Sequence, residues 1–105
     1  MKISALFLLM GCAEATQSVD DVARTAAKSA VDEALVTRFP SVPKQSVTPF
    51  TDCVIDNATA REIGQFAKDA VLGTSEITVS LIQGILGRSE TQTCVTRAGL
   101  TALGV

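Results

Sequence analysis

Three cysteines, eleven carboxylates and no histidine set the limits of what the side chains of this chain can do. Histidine is the usual base of Ser-His and Cys-His nucleophile pairs, so neither pair can be assembled. Histidine-containing zinc sites go with them, and three thiols fall short of a four-thiolate site. Carboxylate or Ser/Lys chemistry is the remaining formal route to catalysis. No spacing in the sequence points to it, and the expectation is a protein without catalysis, metal or cofactor. Asp52 and Asp56, four residues apart, come nearest to a cation site. Two carboxylates without further oxygen donors hold a cation weakly, and the pair reads as the solvated face of a short helix. Asn57-Ala58-Thr59 fits a glycosylation sequon, but the leader described below is bacterial in type, so Asn57 reads as a turn and cap residue. Gly84 to Gly87 lacks both the Gly-Lys-Ser/Thr ending and the preceding strand of a phosphate loop.

The cysteines carry most of the information. Lys2 followed by the apolar run Ile3 to Met10 has the charge and hydropathy of a bacterial export signal, and the run is far shorter than the ~20 residues that span a bilayer. Leu9-Met10-Gly11-Cys12 fits a lipidation box, with cleavage before Cys12; Ala13-Glu14-Ala15 fits an ordinary leader cut after Ala15. Lipidation of Cys12 is preferred, because the cysteine directly abuts the apolar run and Ala13 to Gln17 then make a short polar tether. Either cut leaves Cys53 and Cys94 as an even pair in an oxidising compartment, and a Cys53–Cys94 disulfide is expected. Closing a loop of about 40 residues is worth roughly 4 kcal/mol in the chain-entropy model, a large share for so small a domain.

The remaining composition narrows the partners. Removing residues 1–15 takes away one basic and one acidic residue, so the net charge stays at −2. No Lys/Arg cluster offers a nucleic-acid footprint, and the absence of Trp and Tyr removes the usual base-stacking platforms. No later stretch can cross a membrane: Ile77 to Leu86 is short and broken by Thr78, Ser80, Gln83 and Gly84.

The elements that must hold these residues read as helices. From Ser18 to about Thr37, the residues Val19, Val22, Ala23, Ala26, Ala27, Ala30, Val31 and Ala34 share one face, with Asp20–Arg24 and Lys28–Asp32 as charged pairs opposite. Phe39 to Pro49 holds three prolines and reads as an extended connector. Its Arg38-Phe39-Pro40 stretch suits an exposed recognition segment, yet the expectation is that Phe39, like Phe50, folds back onto the alanine-rich helix. Thr48-Pro49 reads as cap and first position of a short helix that faces Phe50, Cys53 and Val54 inward. Thr59 with Glu62 is a capping box. It opens a helix with Ala60, Ile63, Phe66, Ala67, Ala70 and Val71 inward and Arg61, Glu62, Gln65, Lys68 and Asp69 outward, stopped by Gly73. Thr74 caps the segment Ser75 to Leu86, where strand-like alternation competes with the helical face Ile77, Leu81, Ile82, Ile85, Leu86. No second strand exists to pair with it, so it reads as a helix and as the centre of the core. A last helix starts at Ser89, with Cys94, Val95, Ala98 and Ala102 inward.

The sum is an all-α fold of four to five helices with one disulfide: a leader at 1–15 and a single small helical domain at 16–105. The expected role is that of a bacterial envelope protein, a membrane-anchored periplasmic lipoprotein or else a soluble periplasmic or secreted one. Its expected partner is another envelope protein, with a lipid anchor through Cys12. The alternative role is a periplasmic stress chaperone or an immunity or inhibitor protein. In layout the chain is similar to small two-cysteine helical periplasmic proteins of the acid-stress chaperone kind, while lacking their aromatic and Lys-rich segments.

Overall fold

The computed structural model describes the backbone of residues 2–102 and the side chains of residues 20–99. Within these bounds the chain is all-α. Helix α1 (Lys2–Arg38) leads through a 3-10 turn (Lys44–Ser46) to α2 (Val47–Asp56), α3 (Ala60–Leu72), α4 (Glu76–Leu86) and α5 (Ser89–Ala102). The expected leader at 1–15, its two expected cleavage sites and Cys12 lie outside the residues whose side chains are described.

α1 carries a face of Ala27, Ala30, Val31, Ala34 and Leu35, all buried, and this face is the centre of the molecule. α3, α2 and α4 all pack on it. Small residues let the neighbouring helices come close, at the cost of little apolar area per residue. The core is completed by Val47, Val54 and Ile55 of α2, Phe66 of α3, and Ile82 and Ile85 of α4. Two expectations about α1 change. The helix does not begin at Ser18 but runs back to Lys2, since nothing between Ala13 and Gln17 breaks a helix. Among the described residues the buried stripe starts at Ala27, and Val22, expected to face inward, is 69% exposed.

α1 ends at Arg38, as the residue before Pro40 is pushed out of the helical region. Phe39, Val42 and Phe50 pack against the core, so the connector closes the fold rather than standing away from it. The connector is not extended throughout: the 3-10 turn feeds straight into α2, which starts at Val47 with Ser46 as its cap. Pro49 therefore occupies the third helical position, still within the turn whose N–H groups have no intrahelical partner.

α2 runs back along α1, setting Asp56 against Arg24 and Asp52 against Lys28, each at 3.3 Å. One step further along the same seam, the Thr51 hydroxyl donates to Asp32. The capping box at Thr59 and Glu62 is present, with both of its hydrogen bonds. Helix α3, however, is rotated from its expected setting. Glu62, Phe66 and Asp69 form its buried stripe, while Ala70 is exposed and Val71 is 85% exposed. Gly73 ends the helix at φ 95°, a left-handed value that a side chain resists.

α4 is a helix, capped by Ser75 rather than Thr74: the Ser75 hydroxyl accepts from the Thr78 N–H. It too is turned from the expected face, burying Thr78, Val79, Ile82 and Ile85 and leaving Ile77 outside. It flanks the core whose centre is α1. α5 begins at Ser89 as expected, yet Thr91 is its one buried residue among those described; Cys94, Val95 and Ala98 are half-buried.

Candidate functional site

Cys53 projects from the buried side of α2, and Cys94 lies one turn past the start of α5. Their sulfurs are 2.05 Å apart and their Cα atoms 5.6 Å apart, the expected disulfide. The bond forms the base of an open groove of about 650 Å³ between α2 and α5. Pro49 and Ala98 line it as well, together with the charged residues Asp52, Glu90 and Arg97. Such a volume falls in the range of ligand and peptide clefts, and the lining mixes the disulfide, Pro49 and Ala98 with polar and charged side chains.

The two walls are held very differently. On the α2 side, Asn57 caps the helix, its side-chain amide donating to the Cys53 carbonyl at 2.8 Å. The Asn57 carbonyl in turn accepts from the Arg88 guanidinium at 2.6 Å. Arg88 makes a two-pronged pair with Glu62, at 3.0 and 2.7 Å. A guanidinium and a carboxylate in this arrangement make one of the stronger polar contacts available to a protein. Arg88 holds the Glu62 carboxyl below its ordinary range; burial opposes this, and the Thr59 N–H adds to it. The turn that carries Cys53 is thus braced through Asn57, Arg88 and Glu62. On the α5 side, none of the described residues belongs to the core cluster.

A second buried acid, Asp69, closes the α3–α4 corner. Burial raises its pKa, but hydrogen bonding outweighs burial and the net shift is downward. Its carboxylate accepts from the Ser75 N–H and hydroxyl, both at 2.9 Å, and from Gln65 at 3.1 Å. The buried Thr78 hydroxyl is directed at the same carboxylate but misses ordinary hydrogen-bond geometry.

Asp52 and Asp56 do not converge on a common point: each turns toward its own cation on α1. Among the described residues no three His, Cys, Asp or Glu side chains cluster as metal ligands would. Asn57 acts as the cap it was expected to be. Gly84 sits inside α4 and Gly87 at its end, within helical structure rather than a phosphate-binding loop. The bracing roles of Glu62, Asp69 and Arg88 escape a reading by amphipathic period, which sends charged residues to solvent. The one available signal was Glu62 itself, which the capping box already fixes at the helix start.

Among the described residues no helix is long and apolar enough to cross a membrane. The chain matches no protein-family model, no curated protein and no solved structure.

Proposed function

We propose that the protein is an exported component of the bacterial cell envelope, tethered through an acylated Cys12, which works by binding another envelope protein and performs no catalysis of its own. The observation that carries this reading is the Cys53–Cys94 disulfide. Cytosolic reductants keep such thiols reduced, so a bonded pair that fastens two helices fits an oxidising compartment. The leader pattern from Lys2 to Cys12 supports the same compartment. The groove beside the disulfide offers the docking surface, its lining a mixture of apolar residues and side chains of both charges.

A stress-chaperone role is the second reading. Val22, Val71, Leu72 and Ile77 are exposed apolar side chains, and the ion pairs that tie helix to helix all use a carboxylate that acid discharges. Intact-mass measurement of the protein isolated from its native cells tests the first reading. The expected species starts at Cys12, carries acyl chains there and lacks the two hydrogens of a Cys53–Cys94 dithiol. A species that retains Met1 with both of those cysteines as free thiols would overturn it. Appearance of dye-binding apolar surface only in acid, with no stoichiometric partner in envelope extracts, would favour the chaperone.

A further inference from the structure

We propose that Cys94 is a site of thiol–disulfide exchange, reached by a thiolate through the α2–α5 groove, and that exchange there frees the outer part of α5 while the other helices stay packed. The two sulfurs differ in access. Cys53 is 2% exposed and belongs to the braced wall, whereas Cys94 is half-buried and belongs to the wall outside the core cluster. Both line the groove, so a thiol entering it comes within reach of the disulfide, and Cys94 is the more exposed of the two cysteines it meets. Exchange rates depend on which sulfur can be reached and on how well the departing thiolate is accommodated.

The step balances without any further reagent. The incoming thiolate sulfur bonds to Cys94 Sγ, the Sγ–Sγ bond breaks, and its electron pair leaves on Cys53 Sγ, which takes a proton from water. The incoming thiol is oxidised to a mixed disulfide and Cys53 is reduced to a thiol. A charged sulfur is poorly solvated at the buried Cys53 position, so its departure is eased when α5 lifts and water enters. Arg88, gripped by Glu62 and the Asn57 carbonyl, immediately precedes Ser89 and serves as the fixed end of that movement. Beyond Cys94, α5 has no fully buried side chain among the described residues.

The test is exchange with reduced glutathione, and in a second arm with a protein that carries a single reactive cysteine, on the native full-length chain and on the same chain in urea, quenched at an early time. Free thiols are then alkylated and the adducts located by peptide mapping, with any at Cys12 counted separately. The expected product carries the incoming thiol on Cys94 and an alkylated Cys53, and the faster arm tells whether the groove suits a small thiol or one presented by a protein. The native rate is expected within about a hundredfold of the unfolded rate, because only local opening is needed. A disulfide reached only through global unfolding would be suppressed by ~10³-fold or more, and that result overturns the proposal. An adduct on Cys53 overturns it as well. Filling the groove with Ala98→Trp, or with Thr93→Phe at an exposed position, is expected to slow the native reaction about tenfold while leaving the unfolded rate unchanged. An unaltered native rate in both variants rules the groove out as the route. Hydrogen exchange on the adduct should show protection lost in α5 and kept in α1 and α3; loss throughout the chain would refute local release.

Discussion

At Glu62 one side chain serves two structures at once. It completes the capping box of α3 through the Thr59 N–H at 2.8 Å, and it receives both prongs of Arg88 from the far end of α4. Glu62→Gln keeps the shape, loses the charge and leaves Arg88 with a neutral acceptor. We expect a loss of about 1–2 kcal/mol in urea unfolding, the cost of weakening charged hydrogen bonds at a largely buried position. The pH profile carries the same signature. Glu62 and Asp69 both have folded pKa values below their ordinary ones, so the stability they contribute is fully present above the ordinary carboxylate range and is lost as pH falls through the folded values. With no histidine in the chain, the urea midpoint should be level from about pH 5 to 8 and fall only below about pH 4. The double variant Glu62→Gln, Asp69→Asn should start lower and fall less steeply in acid. An unchanged slope would mean that other carboxylates govern the acid limb.

At the scale of the helix, Phe66 and Val71 of α3 are both apolar and were both expected to face inward. Phe66 is wholly buried between α1 and its neighbours, so Phe66→Ala should cost about 3–5 kcal/mol. Val71→Lys, on the exposed side, should shift stability by no more than about 0.5 kcal/mol. Parallel thermal melts of the two variants check this, and a large loss at Val71 would restore the expected rotation. The misreading has a physical source. Helical period measures where apolar residues cluster, and in α3 Ala60, Ala70, Val71 and Leu72 are exposed while Phe66, Ile63 and Ala67 are buried or half-buried. What turns the helix is satisfaction of Glu62 by Arg88, 26 residues away, and of Asp69 by Gln65 and Ser75, which are near in sequence but which an apolar period does not count. Where the local signals were chemical rather than periodic, the elements were legible. The capping box at Thr59, Gly73 with its positive φ, and Pro40 after α1 each mark a boundary that the fold respects. The disulfide was legible by parity of cysteines; the groove beside it was not, because it depends on how far α5 stands from α2.

Across the whole molecule α1 makes two kinds of contact. Its buried alanines, Val31 and Leu35 meet the apolar residues of α2, α3 and α4, and beside that face Arg24, Lys28 and Arg38 pair with Asp56 and Asp52 of α2 and Glu76 of α4. α5 stands apart from this centre and is joined covalently. Replacing both Cys53 and Cys94 by serine should therefore lower global stability by about 2–5 kcal/mol, read from urea unfolding against the oxidised parent. A loss near zero would mean that packing alone seats α5. The exposed ion pairs of the α1–α2 seam are worth little individually. Their spacing has a different value. Arg24 and Lys28 are four residues apart, as are Asp52 and Asp56, and the two ladders run in opposite directions, so every rung is filled in one alignment. Slide α2 by a single turn and Asp52 comes to face Asp32, a carboxylate against a carboxylate, where Thr51 now donates a hydrogen bond. An alanine-rich face is smooth enough to accept a neighbour at several heights. The charges beside it act as the teeth of a ratchet, leaving α2 a single notch in which to rest.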